Sequence, residues 1–394
     1  MLSYAKIIIE DPVRRGLLYA GTENAIYVSF DAGDQWQPLQ NDLPSAPVSG
    51  IVVQEHFNDL VISTYGRGFW ILDDITPLRT VTPAALAAEA HLFPVRDAYR
   101  FRPITAPSTT YDDPTTGENP RYGASINYHL KAPVTGGVRA TILDEKGAVV
   151  RTITGTNVAG VNRIYWDLRH EPSMEVRLLT SPLFADHIVP GPTGRVAPGT
   201  ARLSVLATPG RYTVRLKAGS VEQSQPLLVK KDPNSAGTDA EIAEQVRMAM
   251  SIQRDLNEAA DAVHRVESAR VQLSSIIRAV EDSTVRRAAE RLAQQFVDLE
   301  MNLVDLRQTG TGQDGVRFGS KLIAKMNYLA NGLSSGDDKP TNQHGEVQGI
   351  LNTELKSHLT ALDRLLNTDL NAFNELLKQR GVPNVTVRPR GPVF

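Results

Sequence analysis

Short apolar runs broken by turn residues open the chain. KIIIEDP, GLLYAGT, AIYVSFD, SGIVVQE, NDLVISTYG and GFWILDD are rich in Ile, Val, Leu, Tyr and Trp, and Gly, Asp, Asn or Pro bounds each of them. This is the pattern of β-strands joined by tight turns. It repeats about every ten residues over 1–80, which predicts an antiparallel all-β meander. Residues 81–120 are Pro-rich and read as a linker, with an Ala-rich turn at PAALAAEA, strands near HLFPV and AYRFR, and the polar run STTYDDPTTGENP. Period-two alternation returns over 121–232, in GASINYHLK, VRATILDEKGAVVRTI, GVNRIYWDLR and GRYTVRLKAG. DEKG predicts a hairpin turn, and Tyr212, Val214 and Leu216 fall on one strand face. The prediction for 121–232 is a small immunoglobulin-like β-sandwich, with the Pro- and Gly-rich loop 181–199 between its strands.

Near residue 238 the apolar period changes from two to about 3.5. Thr238-Asp239-Ala240-Glu241 is a capping-box signature, and Ile242, Val246, Ala249, Leu256, Val263, Val266, Leu273, Ile277 and Val280 follow it along one stripe. A second helix starts at Asp282-Ser283 and carries Leu292, Phe296, Leu299, Leu303 and Leu306. The Gly-rich loop 310–319 leads to a shorter helix with Leu322, Met326, Leu329 and Leu333. After Pro340 a long helix presents Leu351, Leu355, Leu362, Leu366, Leu370, Phe373 and Leu377, and it stops at Gly381 with Pro383 beyond. One apolar stripe per helix predicts a helical bundle over 238–383, with 384–394 as a tail. The expected fold class is therefore a mainly β N-terminal half followed by an all-α bundle.

Composition narrows the function classes. The 394 residues are 41% hydrophobic and 22% charged, with a net charge of −2, so no global charge draws the chain to nucleic acid or an anionic membrane. No apolar run approaches the ~18 residues of a membrane span. Cysteine is absent, which removes disulfides, thiolate nucleophiles and cysteine metal sites. The N-terminal MLSYAKIIIEDP has one Lys and a short apolar run ended by Glu10-Asp11-Pro12; it reads as a strand and not as a signal peptide.

Ser29, Asp31, Gly33 and Trp36 make an S-x-D-x-G-x-x-W pattern. Asp31 and Gly33 suit a tight hairpin, Ser29 can bond within it, and Trp36 would start the next strand as a large anchor between sheets. None of this requires a substrate. The pattern resembles the Asp-box, or bacterial neuraminidase repeat. The surrounding LLYAGTENAIYVSFDAGDQWQPLQNDLP, VSGIVV and NDLVISTYGRGFWILDDITPLR resemble the closing blades of sortilin-type β-propellers in large bacterial proteins. GENPRYGASINYHLK through PGRYTVRL is similar to the sandwich that follows such propellers, and KLIAKMNYLANGLSSGDDKPTNQH through LNAFNELLKQRGVPNV is similar to their helical tail. The resemblance implies that 1–80 are the last blades of a propeller. Closing one takes 4–8 blades. About two blades and a single Asp-box are present, so the chain is expected to be the C-terminal part of a longer protein. For that longer protein the resemblance implies a periplasmic or secreted location; this chain itself assigns no compartment.

Propeller glycosidases gather their catalytic groups from several blades at the tunnel mouth, and two blades cannot do so. Arg67, between glycines in YGRGFW, is the one residue of 1–80 that could reach such a mouth; a turn Arg facing solvent is the commoner case. Asp73-Asp74, Asp112-Asp113 and Asp337-Asp338 are adjacent in loops, whereas paired glycosidase carboxylates come from separate elements, so they read as turn and cap residues. Gly310 to Gly315 fits G-x-G-x-x-G, but a helix precedes it where a dinucleotide site needs a strand. Gly332 to Gly336 fits G-x-S-x-G, but it ends a helix, where carbonyls and not amides point outward. His56, His91, His129, His170, His187, His264, His344 and His358 are scattered without metal-ligand spacing. Asn384 opens an NVT sequon, relevant only to a eukaryotic secretory route. Of Tyr165 and Trp166, adjacent on one strand, Trp166 is the expected core anchor.

No catalytic, cofactor or metal residue is therefore assigned. The expected function is a non-catalytic interaction or scaffold region. Its partner would be a protein or carbohydrate ligand, or the missing propeller blades supplied in trans; nucleic acid and a membrane span are not expected. The alternative is a fragment of an Asp-box glycosidase-like or peptidase-like hydrolase whose active-site blades lie elsewhere.

Overall fold

The computed structural model describes residues 3–39, 41–102, 117 and 119–387. They form two units, one of 1–168 with 209–232 and one of 169–208 with 233–394. The first holds most of the β-structure, in several sheets, and the second is mainly helical. Asp112-Asp113 and most of STTYDDPTTGENP lie outside the described residues.

In the first unit, β1 (Ala5–Glu10), β2 (Leu18–Thr22), β3 (Ile26–Ser29) and β4 (Gln37–Pro38) form an antiparallel sheet in chain order. A second antiparallel sheet follows from β5 (Val48–Gln54), β6 (Asp59–Thr64) and β7 (Phe69–Leu72). The two pack through one apolar cluster that includes Leu17, Tyr19, Ile26, Val48, Ile51, Leu60 and Ile62. The short helix α1 (Thr76–Thr80) is strapped to them. Arg79 Nε donates to both oxygens of buried Asp11, at 3.0 and 2.9 Å, and Arg14 Nη1 donates to the Leu78 and Val81 carbonyls.

After α2 (Pro83–Ala87), the 81–120 stretch supplies β8 (Ala90–Leu92) and β9 (Ala98–Arg100), where strands were expected. These are sheet members and not loose connections. β8 pairs with β10 (Ala124–Leu130), whose other neighbour is β13 (Gly160–Trp166). β11 (Val138–Leu143), β12 (Val149–Gly155), β16 (Gly210–Ala218) and β17 (Val221–Lys231) form a second sheet in the order β12-β11-β16-β17-β9. β9 joins its edge in parallel, Ala98 facing Val229. Trp166 from the first sheet and Tyr212 from the second meet edge to face at 5.2 Å. Trp166 is fully buried, as its position predicted. Gly123 is required beside it: its φ is +112°, and a Cβ there would stand 1.9 Å from the Trp166 carbonyl oxygen.

Helices of the second unit are α3 (Asp239–Ala279), α4 (Ser283–Leu303), α5 (Asp314–Arg317), α6 (Leu322–Leu333), α7 (Asn342–Arg364) and α8 (Leu370–Gln379). The predicted caps form. Thr238 Oγ1 accepts from Glu241 N while Glu241 Oε2 accepts from Thr238 N, and Asp282 accepts from Thr284 N and Val285 N. The stripes of α3, α4, α6, α7 and α8 share a single apolar core. A π-helical turn, Leu365–Asp369, joins α7 to α8 without a break. It absorbs the four-residue steps Leu362, Leu366 and Leu370, which would otherwise drift off the buried face of a regular helix.

Residues 169–208, read from sequence with the sandwich, belong to the helical unit. They carry the two-residue strands β14 (Arg177–Leu178) and β15 (Arg195–Val196), and Val176, Leu178, Leu203 and Val205 enter the helical core. A polar row on α3 holds this segment. Gln253 Nε2 donates to the Glu171 and Leu203 carbonyls, Asn257 Oδ1 accepts from Met174 N, and Glu267 accepts from Leu179 N and Thr180 N. Residues 253, 257, 264 and 267 lie on one face of a helix, so α3 supplies the pairing that an extended backbone otherwise takes from a sheet.

Candidate functional site

The S-x-D-x-G-x-x-W residues close a self-contained turn between β3 and β4. Ser29 Oγ donates to Asp31 Oδ1 at 2.7 Å and accepts from Gly33 N at 2.9 Å; Asp31 Oδ1 also accepts from Gln35 N at 2.9 Å. Ala32 (φ 60°) and Gly33 (φ 101°) take the left-handed backbone of the loop. The Gln35 amide and the Ser29 hydroxyl hold the Asp31 carboxyl below its ordinary range. The Ser29 hydroxyl and one Asp31 oxygen are thus engaged inside the loop. Trp36 is half-buried against Gly33, where the sequence suggested an anchor between sheets. β4 is only two residues long and carries the indole to the rim of the sheet.

Arg67 is exposed on the β6–β7 hairpin, and its carbonyl accepts from Trp70 Nε1. Asp74 is far from exposed. Its Oδ2 accepts from Ser125 Oγ and, at 2.8 Å, from Asn127 Nδ2, and its Oδ1 accepts from Thr76 N and Thr76 Oγ1. Arg163 reaches the Asp74 backbone carbonyl and the Asn127 side chain, so Asp74 ties the end of β7 to β10 through its carboxylate and to β13 through its carbonyl. Asp337 accepts from Ser235 Oγ, while Asp338 is exposed. Asp59 adjoins the first pair: its Oδ1 accepts from Asp74 N, and Arg96 lies 3.6 Å from Asp59 and 4.0 Å from Asp74.

The Gly310–Gly315 loop closes on its own acid. Asp314 accepts from Thr309 N, Thr309 Oγ1 and Gly310 N, which puts a negative charge where a phosphate would have to sit. In Gly332–Gly336 the Ser335 hydroxyl donates to the Gly332 carbonyl, and buried Gln245 donates to the Leu333 and Gly336 carbonyls. Both matches are helix-end loops. His91 and His129 face each other across β8 and β10, a juxtaposition the spacing did not reveal; burial and then His129 lower the pKa of His91. Among the described residues no three His, Cys, Asp or Glu side chains group as a metal site, and no helix is long and apolar enough to cross a membrane.

Three features were not anticipated. The first is the outer face of β5–β7. Register places Val52, Val61 and Ile71 side by side across the three strands, with Phe69 next to them opposite Ser63. Val52 is 63%, Ile71 61% and Phe69 79% exposed, and Tyr65 at the hairpin is exposed as well. The opposite row, Ile51, Ile62 and Trp70, packs into the inter-sheet core. The second is a buried ionic cluster, in which Arg270 on α3 donates to both Glu267 and Glu300. The third is a groove of about 830 Å³ flanked by α6 and α7.

Comparison with protein-family models gave no match, and comparison with curated proteins gave none.

Proposed function

We propose that the chain is a non-catalytic interaction region, in which β1–β4 and β5–β7 are two blades of an Asp-box propeller, followed by an immunoglobulin-like sandwich and a helical bundle. Its docking face is the row of half-buried Val61 between exposed Val52 and Ile71, with Phe69, and the occupant is a further blade-like sheet. The observation that carries this reading is the two-sided apolar patterning of β5–β7. Its inner row is packed by β1–β4, and its outer row offers an equivalent surface. An antiparallel sheet with one solvated face alternates apolar and polar residues; apolar residues on both faces belong to a sheet covered on both. The Ser29–Asp31–Gly33 turn supports the non-catalytic part, since Ser29 Oγ and Asp31 Oδ1 bond within the loop and shape it.

The test is sedimentation velocity of the purified chain beside Val52→Lys/Ile71→Lys, together with hydrolysis assays on aryl glycosides and casein. The reading expects concentration-dependent self-association of wild type that the double variant abolishes, and no turnover by either. A strictly monomeric wild type that binds no apolar dye, or turnover that disappears in Arg67→Ala, would overturn it.

A further inference from the structure

The sheet β12-β11-β16-β17-β9 turns one side inward, where Tyr212, Val214 and Leu216 of β16 are buried, so the alternate residues form an outer face. On β16 that face carries Arg211, Thr213, Arg215 and Lys217 in succession, three of them exposed cations. Register sets exposed Arg139 of β11 directly opposite Lys217, and Thr141 opposite Arg215. Glu222 of β17, across from Lys217 on its other side, is the one acid in these two rows, and it lies 3.6 Å from Arg215. The rows end in hydroxyls: Thr154 and Thr152 of β12 face Arg139 and Thr141, and Ser224 of β17 faces Arg215. The turn acids Asp144 and Glu145 lie at the opposite end of β11 from Arg139.

Like charges directly opposite on adjacent strands destabilise a sheet. Arg139 and Lys217 are so placed in a chain whose net charge is −2, so no general excess of cations accounts for them. Negative charge laid across the strands relieves the repulsion. Each cation is exposed and screened by salt, so one small anion gains little. An occupant with charges repeated along its length meets Arg139, Lys217 and Arg215 together.

The rest of the face narrows the occupant further. The two rows hold no aromatic ring on which the bases of a single strand would stack, and a five-stranded face is too broad for a duplex groove. They hold no apolar side chain to enter a bilayer surface. Hydroxyls beside the cations both donate and accept, which suits the hydroxyls of a sugar, and a guanidinium matches a carboxylate with two parallel N–H donors.

We propose that the outer face across β12, β11, β16 and β17 binds a linear acidic polysaccharide, its carboxylates on Arg139, Lys217 and Arg215 and its hydroxyls on the neighbouring Thr and Ser side chains. The association is reversible and no bond is made or broken. The surface belongs to a different sheet from the Val52–Val61–Ile71 row, so it does not depend on docking there.

Calorimetric titration of the full chain with a galacturonate oligomer tests this, beside neutral dextran, an oligodeoxythymidylate of matched length and vesicles of anionic phospholipid. The galacturonate oligomer is expected to bind saturably and to weaken about tenfold as NaCl rises from about 50 to about 200 mM, and dextran not to bind. The nucleic acid and the vesicles should bind at least about tenfold more weakly. Arg139→Glu sets an acid opposite Lys217, so affinity should fall about tenfold while the thermal midpoint holds or rises. Lys217→Thr, also an exposed change, should weaken binding as well. Arg67→Glu makes the same change of net charge on the exposed β6–β7 hairpin and should leave the affinity within about twofold. No saturable binding, affinity that survives both Arg139→Glu and Lys217→Thr, an equal loss in Arg67→Glu, or tighter binding of the nucleic acid or the vesicles overturns the proposal.

Discussion

Arg270 Nη1 lies 2.8 Å from the buried Glu300 Oε2 while also donating to Glu267, so one guanidinium answers two carboxylates. Glu267 is the better supplied, because Thr180 N, Thr180 Oγ1 and Leu179 N also donate to it. Glu300 Oε1 has no partner among the described residues. Burial, and then the charge of Glu267, raise the Glu300 pKa well above its ordinary value.

The sign of the resulting pH dependence follows. The unfolded chain releases the Glu300 proton near pH 4.5 and the folded protein holds it to higher pH. The stabilisation is complete below that value and declines as pH rises towards the folded-state pKa. Glu300→Gln fixes the protonated shape, so its urea midpoint should change less than that of wild type between about pH 5 and about pH 8. Parallel curves for the two proteins would show that Glu300 is not the group responsible.

Asp74→Ala leaves the Ser125, Asn127 and Thr76 donors facing a void. The expected loss is about 3 kcal/mol, read by denaturant unfolding of the β-rich unit. Asp73→Ala, next to it, should cost about 0.5 kcal/mol or less. Equal effects would mean that the hydrogen bonds of Asp74 contribute nothing particular.

Ser29→Ala removes one donor to Asp31 and one acceptor for Gly33 N. A stability loss of about 1 kcal/mol is expected. The Asp31 carboxyl, followed by NMR titration, should move up towards its ordinary pKa, since one of the bonds that lowers it is gone. An unmoved titration would place the whole effect on the Gln35 amide.

Gly123→Ala meets two obstacles, the φ of +112° and the Trp166 carbonyl. It should cost more than about 1 kcal/mol, measured as a drop in thermal midpoint. Gly136→Ala, at a similar positive φ but in open space, serves as the comparison, and its loss should be the smaller of the two.

What was legible in the sequence was what is local. The helical stripes from Ile242 to Leu377, the caps at Thr238 and Asp282, and the turn at Ser29–Trp36 each depend on residues within a few positions of one another. Trp166 was legible because strand alternation leaves one of two neighbours inside. Less could be read where the determinants are far apart. The parallel seat of β9 on β17 joins residues 98 and 229. The apolar residues of the 169–208 segment come in short runs broken by Pro and Gly, and the row that receives it consists of Gln253, Asn257 and Glu267, which look like solvent-facing positions of α3 until that segment covers them. Glu300 carries no sign of its partner, which lies 30 positions earlier on another helix. The α6–α7 groove was hidden for the same reason. Asn327 beside Met326 reads as an ordinary polar neighbour of a stripe, and only the fold shows that its amide is enclosed and unanswered.

The order of β-strands across the sheet β12-β11-β16-β17-β9 sets a timetable for synthesis. β11 and β12 leave the ribosome as a hairpin, but the strands that flank the other side of β11 arrive only after residues 169–208 have been made. Until then β11 has an open edge and β9 has no seat, so a nascent chain paused near residue 200 carries a half-built sheet able to pair with any neighbouring strand. Translation speed across that stretch, and chaperone access to it, should therefore govern the yield of correctly folded protein.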